Sequence, residues 1–411
     1  MNPQRVVITG LGAVSALGVG ADHNFEQALA GHSGIGLLRL AGERQRPGTP
    51  AAQIRDPLPE LVKPSELPIF DRFSLLGWAA ASEALAHSGL DAGVEPERSG
   101  VFWGSGMGGA LTVESGYVDL FIEGKSRVRP MSVVAGMTNA AAAQIALRCG
   151  FQGSVNNYSS ACVSSAQAIG EAYRHIRHGY ADRVLAGGSE ALLSYGVVSA
   201  WDALRVLAPL DADHPERSCR PFSAGRGGLV LGEAGAAVML ESLASAQARG
   251  AVILAELVAY GTSNDATHIT RPDAEGQARA MRQALAQSGL PPSAIGYINA
   301  HGAGTAAGDL AETASIKHVF GPLARKLLVS STKSMHGHTL GAAGALEFVL
   351  TAQAVRHGMV PPTAFLDQPD AECDLDFVPR ECRRGLDLQA AMSNSFAFGG
   401  SNVALIVGAF R

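Results

Sequence analysis

The feature that most constrains this chain is an alternation: short β-branched runs recur along its whole length, with alanine-rich helical stretches between them. Elements that alternate in this way bury sheet faces against helix stripes, so the pattern predicts an α/β layered protein. Strands are predicted over 5–9, 100–103, 183–186, 236–240, 253–260, 295–299, 327–330 and 403–407. Asp71 is placed to cap a helix running to Ser88 with Gly89 as its stop, and Asp309 to cap another running to Phe320. The 49 glycines lie among apolar runs rather than in tracts, which suits tight turns and close backbone approaches. The Pro-rich, charged stretch 44–59 reads as a surface excursion. A chain of 411 residues exceeds one simple core. Near residue 250 a helix over 242–249 gives way to a new apolar strand, so two halves are expected, 1–250 and 251–411. No sequence repeat marks the division.

A hydrophobic share of 47% against 17% charged excludes a disordered chain. The formal net charge of −5 gives no general attraction to nucleic acid or to anionic membrane, so an acidic partner needs a local basic patch. Cys149, Cys162, Cys219, Cys373 and Cys382 are odd in number and form no CxxC pair. That argues against a disulfide scaffold or zinc knuckle and for a reducing, cytoplasmic setting. The opening stretch suits a first strand and its glycine loop better than a signal peptide, and 133–147 is too short to span a bilayer.

Four segments can carry chemistry. Cys162, in YSSACVSSAQAIGEAYRHI, stands where a loop enters a helix whose Ala166, Ile169, Ala172, Tyr173 and Ile176 share one face. Unpaired amides and the helix dipole there favour a thiolate and can hold an oxyanion. A small cysteine that merely packs a loop fits the same pattern. His301 follows a strand directly and precedes a Gly-rich loop, the end of an α/β strand that usually faces a crevice. A histidine that only bonds loop carbonyls is the alternative. SSTKSMHGHTLGAAGALEFVL brings Lys333, His336 and His338 into one turn and Glu347 onto the next helix. Lys333 lowers the pKa of neighbouring imidazoles and keeps them neutral, and Glu347 can satisfy the lysine. The absence of Asp or Cys at ligand spacing disfavours a metal among these histidines. Last, NSFAFGGSN is a small-residue loop bearing Phe396 and Phe398 before a final strand, and its glycines can supply amides and a hinge.

Together these segments resemble the elongating β-ketoacyl-acyl carrier protein synthases, in particular synthase II. The resemblance runs almost end to end through VVITGLGAVSALG, SSACVSS, CRPF, GGLVLGE, NAHGAGT, SSTKSMHGHTLGAAGALE, CDLDFVP and NSFAFGGSN. It implies the thiolase-like fold of two related halves in five αβαβα layers, normally dimeric. It also implies decarboxylative condensation of an acyl thioester with malonyl-acyl carrier protein in fatty-acid elongation, without metal or organic cofactor. By the resemblance, Cys162 is the acyl-accepting nucleophile, and His301 and His338 promote decarboxylation and stabilise the enolate. Lys333 and Glu347 order the site, and Phe398 gates it and lends its amide to the oxyanion hole. Met107 lines the acyl pocket, Thr270 and Thr305 hold the pantetheine arm, and Ala397 and Gly399 belong to the gating loop.

The acidic carrier would dock on Lys125, Arg127, Arg129 and Arg205. Departures from the family pattern are Ala303 for Thr, His336 for a usual Thr, Ala397 for a Gly, and Ser223 and Gly227 for acidic residues. An alanine where glycine needs positive φ is expected to stiffen or shift the gating loop. These departures leave room for a specialised polyketide or polyene synthase, acting as a homodimer or with a homologous subunit, or for a supporting chain-length subunit. The last usually lacks the cysteine kept here. A thiolase would need a second cysteine in the last loop, which has none.

Overall fold

The computed structural model describes residues 3–40, 44–91 and 95–410. Its main sheet runs through β1 (Val6–Ser15), β2 (Ser99–Gly104), β3 (Val155–Tyr158), β4 (Arg183–Glu190), β5 (Ala234–Ser242), β6 (Ala255–Asn264), β7 (Ile295–Asn299), β8 (Leu328–Ser330), β9 (Ala390–Phe396) and β10 (Ser401–Gly408). The spatial order is β8-β7-β9-β10-β6-β1-β5-β4-β2-β3. Outward from the β1/β6 junction the two arms repeat each other. In one arm β1–β5 and β5–β4 are antiparallel, then β4–β2 and β2–β3 parallel. In the other, β6–β10 and β10–β9 are antiparallel, then β9–β7 and β7–β8 parallel. The strands of the two arms join where Val6, Val7 and Ile8 pair with Leu257, Glu256 and Ala255.

Helices α1 (Arg72–Ser88), α2 (Ala140–Cys149), α3 (Ser164–Arg177), α4 (Ala274–Ser288), α5 (Ala306–Phe320) and α6 (Ala343–His357) complete five layers. α1 and α2 cover the outer face of the first arm, α4 and α5 that of the second, and α3 and α6 lie between the arms. Every residue of α6 from Ala343 to Val355 is buried, as befits a helix with sheet on both sides. It crosses α3 on small residues: a Cβ on Gly344 would come within 2.6 Å of the Ala166 Cβ, and the Ala345 amide donates to Ser165 Oγ at 2.9 Å.

The thiolase-like layering agrees with expectation, and so does α1: Asp71 accepts from the Phe73 amide, and Gly89 ends the helix at φ 61°. Asp309 does not cap α5. The helix starts at Ala306, and Asp309, one turn in, accepts instead from the amides of Phe222 (2.7 Å) and Gly304 (3.1 Å). The stretch 44–59 is not wholly a surface excursion either, because Pro50–Ala52 is a buried strand between Ile35–Leu37 and Leu231–Gly232. β1 continues through glycines that had suggested a loop. A side chain on Gly10 or Gly12 would strike the α1 carbonyls of Ala84 or Ala80, so these glycines let helix and strand pack closely.

Candidate active site

The Cys162 loop and the His338 turn arise in the same way, each after an edge strand of its arm, β3 or β8, and before a central helix, α3 or α6. After β3 the chain turns through Ala161, which takes a left-handed φ of 50°, and the next residue is Cys162. A non-glycine residue held there is strained by about 1–3 kcal/mol, and such strain is usual where a side chain is presented for chemistry. Cys162 is buried, and burial pushes its thiol up to about 12. The expected thiolate is therefore not the resting form. The Lys333 charge and the amides of Phe398 and of Cys162 itself oppose the shift, and both amides are directed at the sulfur.

His301 follows β7. Its amide and that of Gly302 donate to the two oxygens of Glu312 on α5 (2.9 and 2.8 Å), and its carbonyl accepts from Lys333 Nζ at 2.6 Å. Lys333, 1% exposed, also pairs with the buried Glu347 of α6, so this is no surface ion pair. Burial pushes the Glu347 carboxyl up, and the Lys333 ammonium opposes it. His338 is pinned through its backbone: its amide donates to Val230 O (2.6 Å) and its carbonyl accepts from the Gly232 amide (2.9 Å). The rings of His301 and His338 meet edge to face with centroids 5.2 Å apart. Burial, then Lys333, holds both pKa values well below 6.5, so both imidazoles are neutral. The Leu340 amide donates to His338 Nδ1 at 3.2 Å, which leaves the proton on Nε2 as a hydrogen-bond donor.

Cys162, His301 and His338 line one cavity of about 260 Å³ together with Phe396, Ala397 and Phe398. Thr270 and Thr305 line it too, as does Ala303, which brings no hydroxyl. Ala397 keeps an ordinary φ; the left-handed positions of this loop are Gly399 (85°) and Gly400 (75°), so the expected stiffening at residue 397 does not arise. Gly399 lies outside the lining and ties the loop down: its amide donates to Ile269 O (2.7 Å) and its carbonyl accepts from Asn264 Nδ2 (2.9 Å). Met107 also lies outside the lining, with its side chain 48% exposed. His336 is buried with both ring nitrogens bonded, to Gly337 O and Thr332 Oγ1, and is not free to hold a metal. No group of His, Cys, Asp and Glu among the described residues is arranged to bind one.

Of the basic residues, Arg205 is exposed and stands in sequence between Leu204 and Val206, which line the cavity. Lys125 is ion-paired with Asp119 and Glu123, and Arg127 and Arg129 are exposed on the same segment.

This geometry agrees with what comparison finds. A model of the β-ketoacyl synthase N-terminal domain matches residues 3–246, and one of the C-terminal domain matches residues 254–367. The chain belongs to the β-ketoacyl synthase family. It is an enzyme of the acyltransferase type. This synthase is 44% identical to nodulation protein E of Rhizobium leguminosarum bv. trifolii, over 99% of both chains. It is 40% identical to 3-oxoacyl-[acyl-carrier-protein] synthase 2 of Staphylococcus aureus (strain COL), again over 99% of both. A solved type II polyketide ketosynthase, bound to a hexaketide and in complex with its acyl-carrier protein, superposes over 100% of both chains with a TM-score of 0.90 at 32% identity.

Sequence reasoning about the synthase missed Trp201, Glu312 and Glu190. Trp201 stacks on Phe398 at 6.1 Å and 20° and closes one side of the cavity. Glu312 stands three residues after Asp309 on the helix behind the His301 loop. Glu190 had a visible signal, a carboxylate ending the apolar run RVLAGGSE.

Proposed function

We propose that the protein condenses an acyl thioester with malonyl-[acyl carrier protein] to give a 3-oxoacyl thioester. The observation that carries this reading is the convergence of Cys162, His301 and His338 on one cavity, with two backbone amides aimed at the sulfur. Cys162 attacks the acyl thioester carbonyl, and the carrier thiol leaves with the thiol proton. Malonyl thioester then loses carbon dioxide, and the two neutral imidazoles donate to the oxygen of the enolate that remains. The enolate carbon attacks the acyl-cysteine carbonyl, the amides of Cys162 and Phe398 hold the oxyanion, and collapse expels the Cys162 sulfur. Lys333 and Glu347 fix the His301 loop, Phe398 gates the cavity, and Thr270 and Thr305 guide the pantetheine arm.

The carrier docks on Arg205, Arg127 and Arg129, which supply positive charge; Lys125, already neutralised, contributes least. The segment 107–137 carries a belt of exposed apolar side chains along its sequence, Met107, Tyr117, Phe121, Val133 and Met137, and β3 is the last strand of the same arm. A second copy or a homologous subunit covers this belt and brings Met107 into a completed acyl pocket. The division near residue 250 separates the cysteine half from the histidine half. Five free cysteines support a cytoplasmic setting. Identity to 3-oxoacyl-[acyl-carrier-protein] synthase 2 over 99% of both chains supports fatty-acid elongation as the setting of this condensation. The test is intact-mass analysis after incubation with an acyl carrier protein: an acyl adduct is expected on the parent and not on Cys162→Ala. An unmodified parent mass refutes the proposal.

A further inference from the structure

β4 ends on a carboxylate that hydrogen-bonds no reacting atom, although its charge adds to the rise of the Cys162 thiol. Glu190 is fully buried, and its Oε1 accepts from Ser105 Oγ (3.0 Å) and from the Met107 amide (3.2 Å). Its Oε2 accepts from the amides of Gly106 (2.6 Å) and Gly341 (3.0 Å). One side chain therefore joins the loop after β2 to the turn after His338. Space is reserved for this contact, since a Cβ on Gly341 would run into Glu190 and the Gly106 amide. The nucleophile loop is tied to the same knot, because Ser159 Oγ donates to Gly106 O at 3.1 Å.

The turn that Glu190 holds is strained. Leu340 has φ 49°, a conformation that persists only where its surroundings enforce it. Its amide is the donor to His338 Nδ1. If the turn relaxes, Nδ1 loses that donor and the imidazole is free to place its proton on either nitrogen.

We propose that Glu190 is a positioning residue for His338: by fixing the 340–341 turn it keeps the Leu340 amide on Nδ1 and so reserves Nε2–H for the enolate oxygen. The proposal rests on the condensing role given to His338 above. Burial pushes the Glu190 carboxyl up to about 7, and its amide and hydroxyl donors oppose the shift, as a carboxylate held by such donors requires.

The test compares the full-length protein with Glu190→Gln in two steps: acylation of Cys162 by mass, and release of carbon dioxide from malonyl carrier protein. Gln presents an NH2 group to amide donors and cannot accept from them all. Acylation is expected within about threefold of the parent, while carbon dioxide release falls by about 10–100-fold with little change in KM, the scale of a small misplacement of a catalytic group. If the Gln variant does not accumulate in soluble form, Glu190→Asp, one methylene shorter, undergoes the same assays with the same direction of loss expected. The 15N signal of His338, assigned by its loss in His338→Asn, is expected to report Nε2–H in the parent and a tautomer mixture in the Glu190 variant. Release of carbon dioxide at parental rate, equal loss of both steps, or an Nδ1–H tautomer in the parent would overturn the proposal. Failure of the parent itself to acylate or decarboxylate counts against the functional reading instead, and the tautomer measurement then decides on Glu190 alone.

Discussion

Replacing Glu347 by Gln removes the counter-charge and leaves the Lys333 ammonium buried with neutral acceptors, the introduced amide oxygen and the His301 carbonyl at 2.6 Å. Both side chains of the native pair are essentially unexposed, at 1% and 0%. Removing one partner of such a pair costs about 3–5 kcal/mol, because the remaining charge has no solvent to turn to. With an unfolding entropy of about 2.1 cal/mol/K per residue over 411 residues, each kcal/mol moves Tm by about 1.2 °C. Glu347→Gln is therefore expected to lower Tm by about 4–6 °C in differential scanning calorimetry. The double variant Lys333→Met/Glu347→Leu removes both charges in favour of apolar groups of similar size, an exchange that is often neutral, and should recover to within about 2 °C of the parent. Its condensation rate should stay low, since the cation that helps keep both imidazoles neutral is gone. A shift below about 1 °C in the single variant, or a double variant as unstable as the single, would refute the reasoning.

Two further outcomes follow from the same interior. Burial, then Lys333, holds His336 down at about 3, so the unfolded chain binds the extra proton as pH falls below 6.5. The contribution of this histidine to stability is complete above that value and is lost on acidification toward 3. Buried carboxyls such as Glu190 and Asp309 run the other way. The comparison is therefore parent against His336→Thr, in which their effects cancel: between about pH 7 and pH 4.5 the parent should lose about 2–3 kcal/mol relative to the variant in urea unfolding, and a constant difference would contradict this. Trp201→Ala removes the ring that backs Phe398, a pair worth about 0.5–1.5 kcal/mol beyond its buried area. The variant should acylate with bulkier chains that the parent rejects, measured across a chain-length series; an unchanged ranking would assign Trp201 no part in selectivity.

The site was more legible than the sheet. Cys162, His301, Lys333 and His338 stand in loops whose small residues and following helices are visible in sequence, because presenting a side chain requires that local chemistry. β3 and β9 were invisible. VNNY is polar because β3 is an edge strand, and AAMSNSF lacks branched residues because small side chains face the packed centre. The Cys162 environment was misjudged for a related reason: the helix start could be read, but the depth at which the two arms of the sheet enclose it could not. Asp309 looked like a cap because Asp at a helix start usually is one, and only tertiary structure brings it the amides of Phe222 and Gly304.

The crossing of α3 and α6 has a mechanical consequence. Cys162 leads into one of these helices and His338 into the other, so their separation is set where Gly344 rests against Ala166. That contact works as a gauge block between the two halves of the reaction, and a single methyl group at Gly344 would act as a shim. The distance over which carbon meets carbon is thus machined into a glycine that touches no substrate.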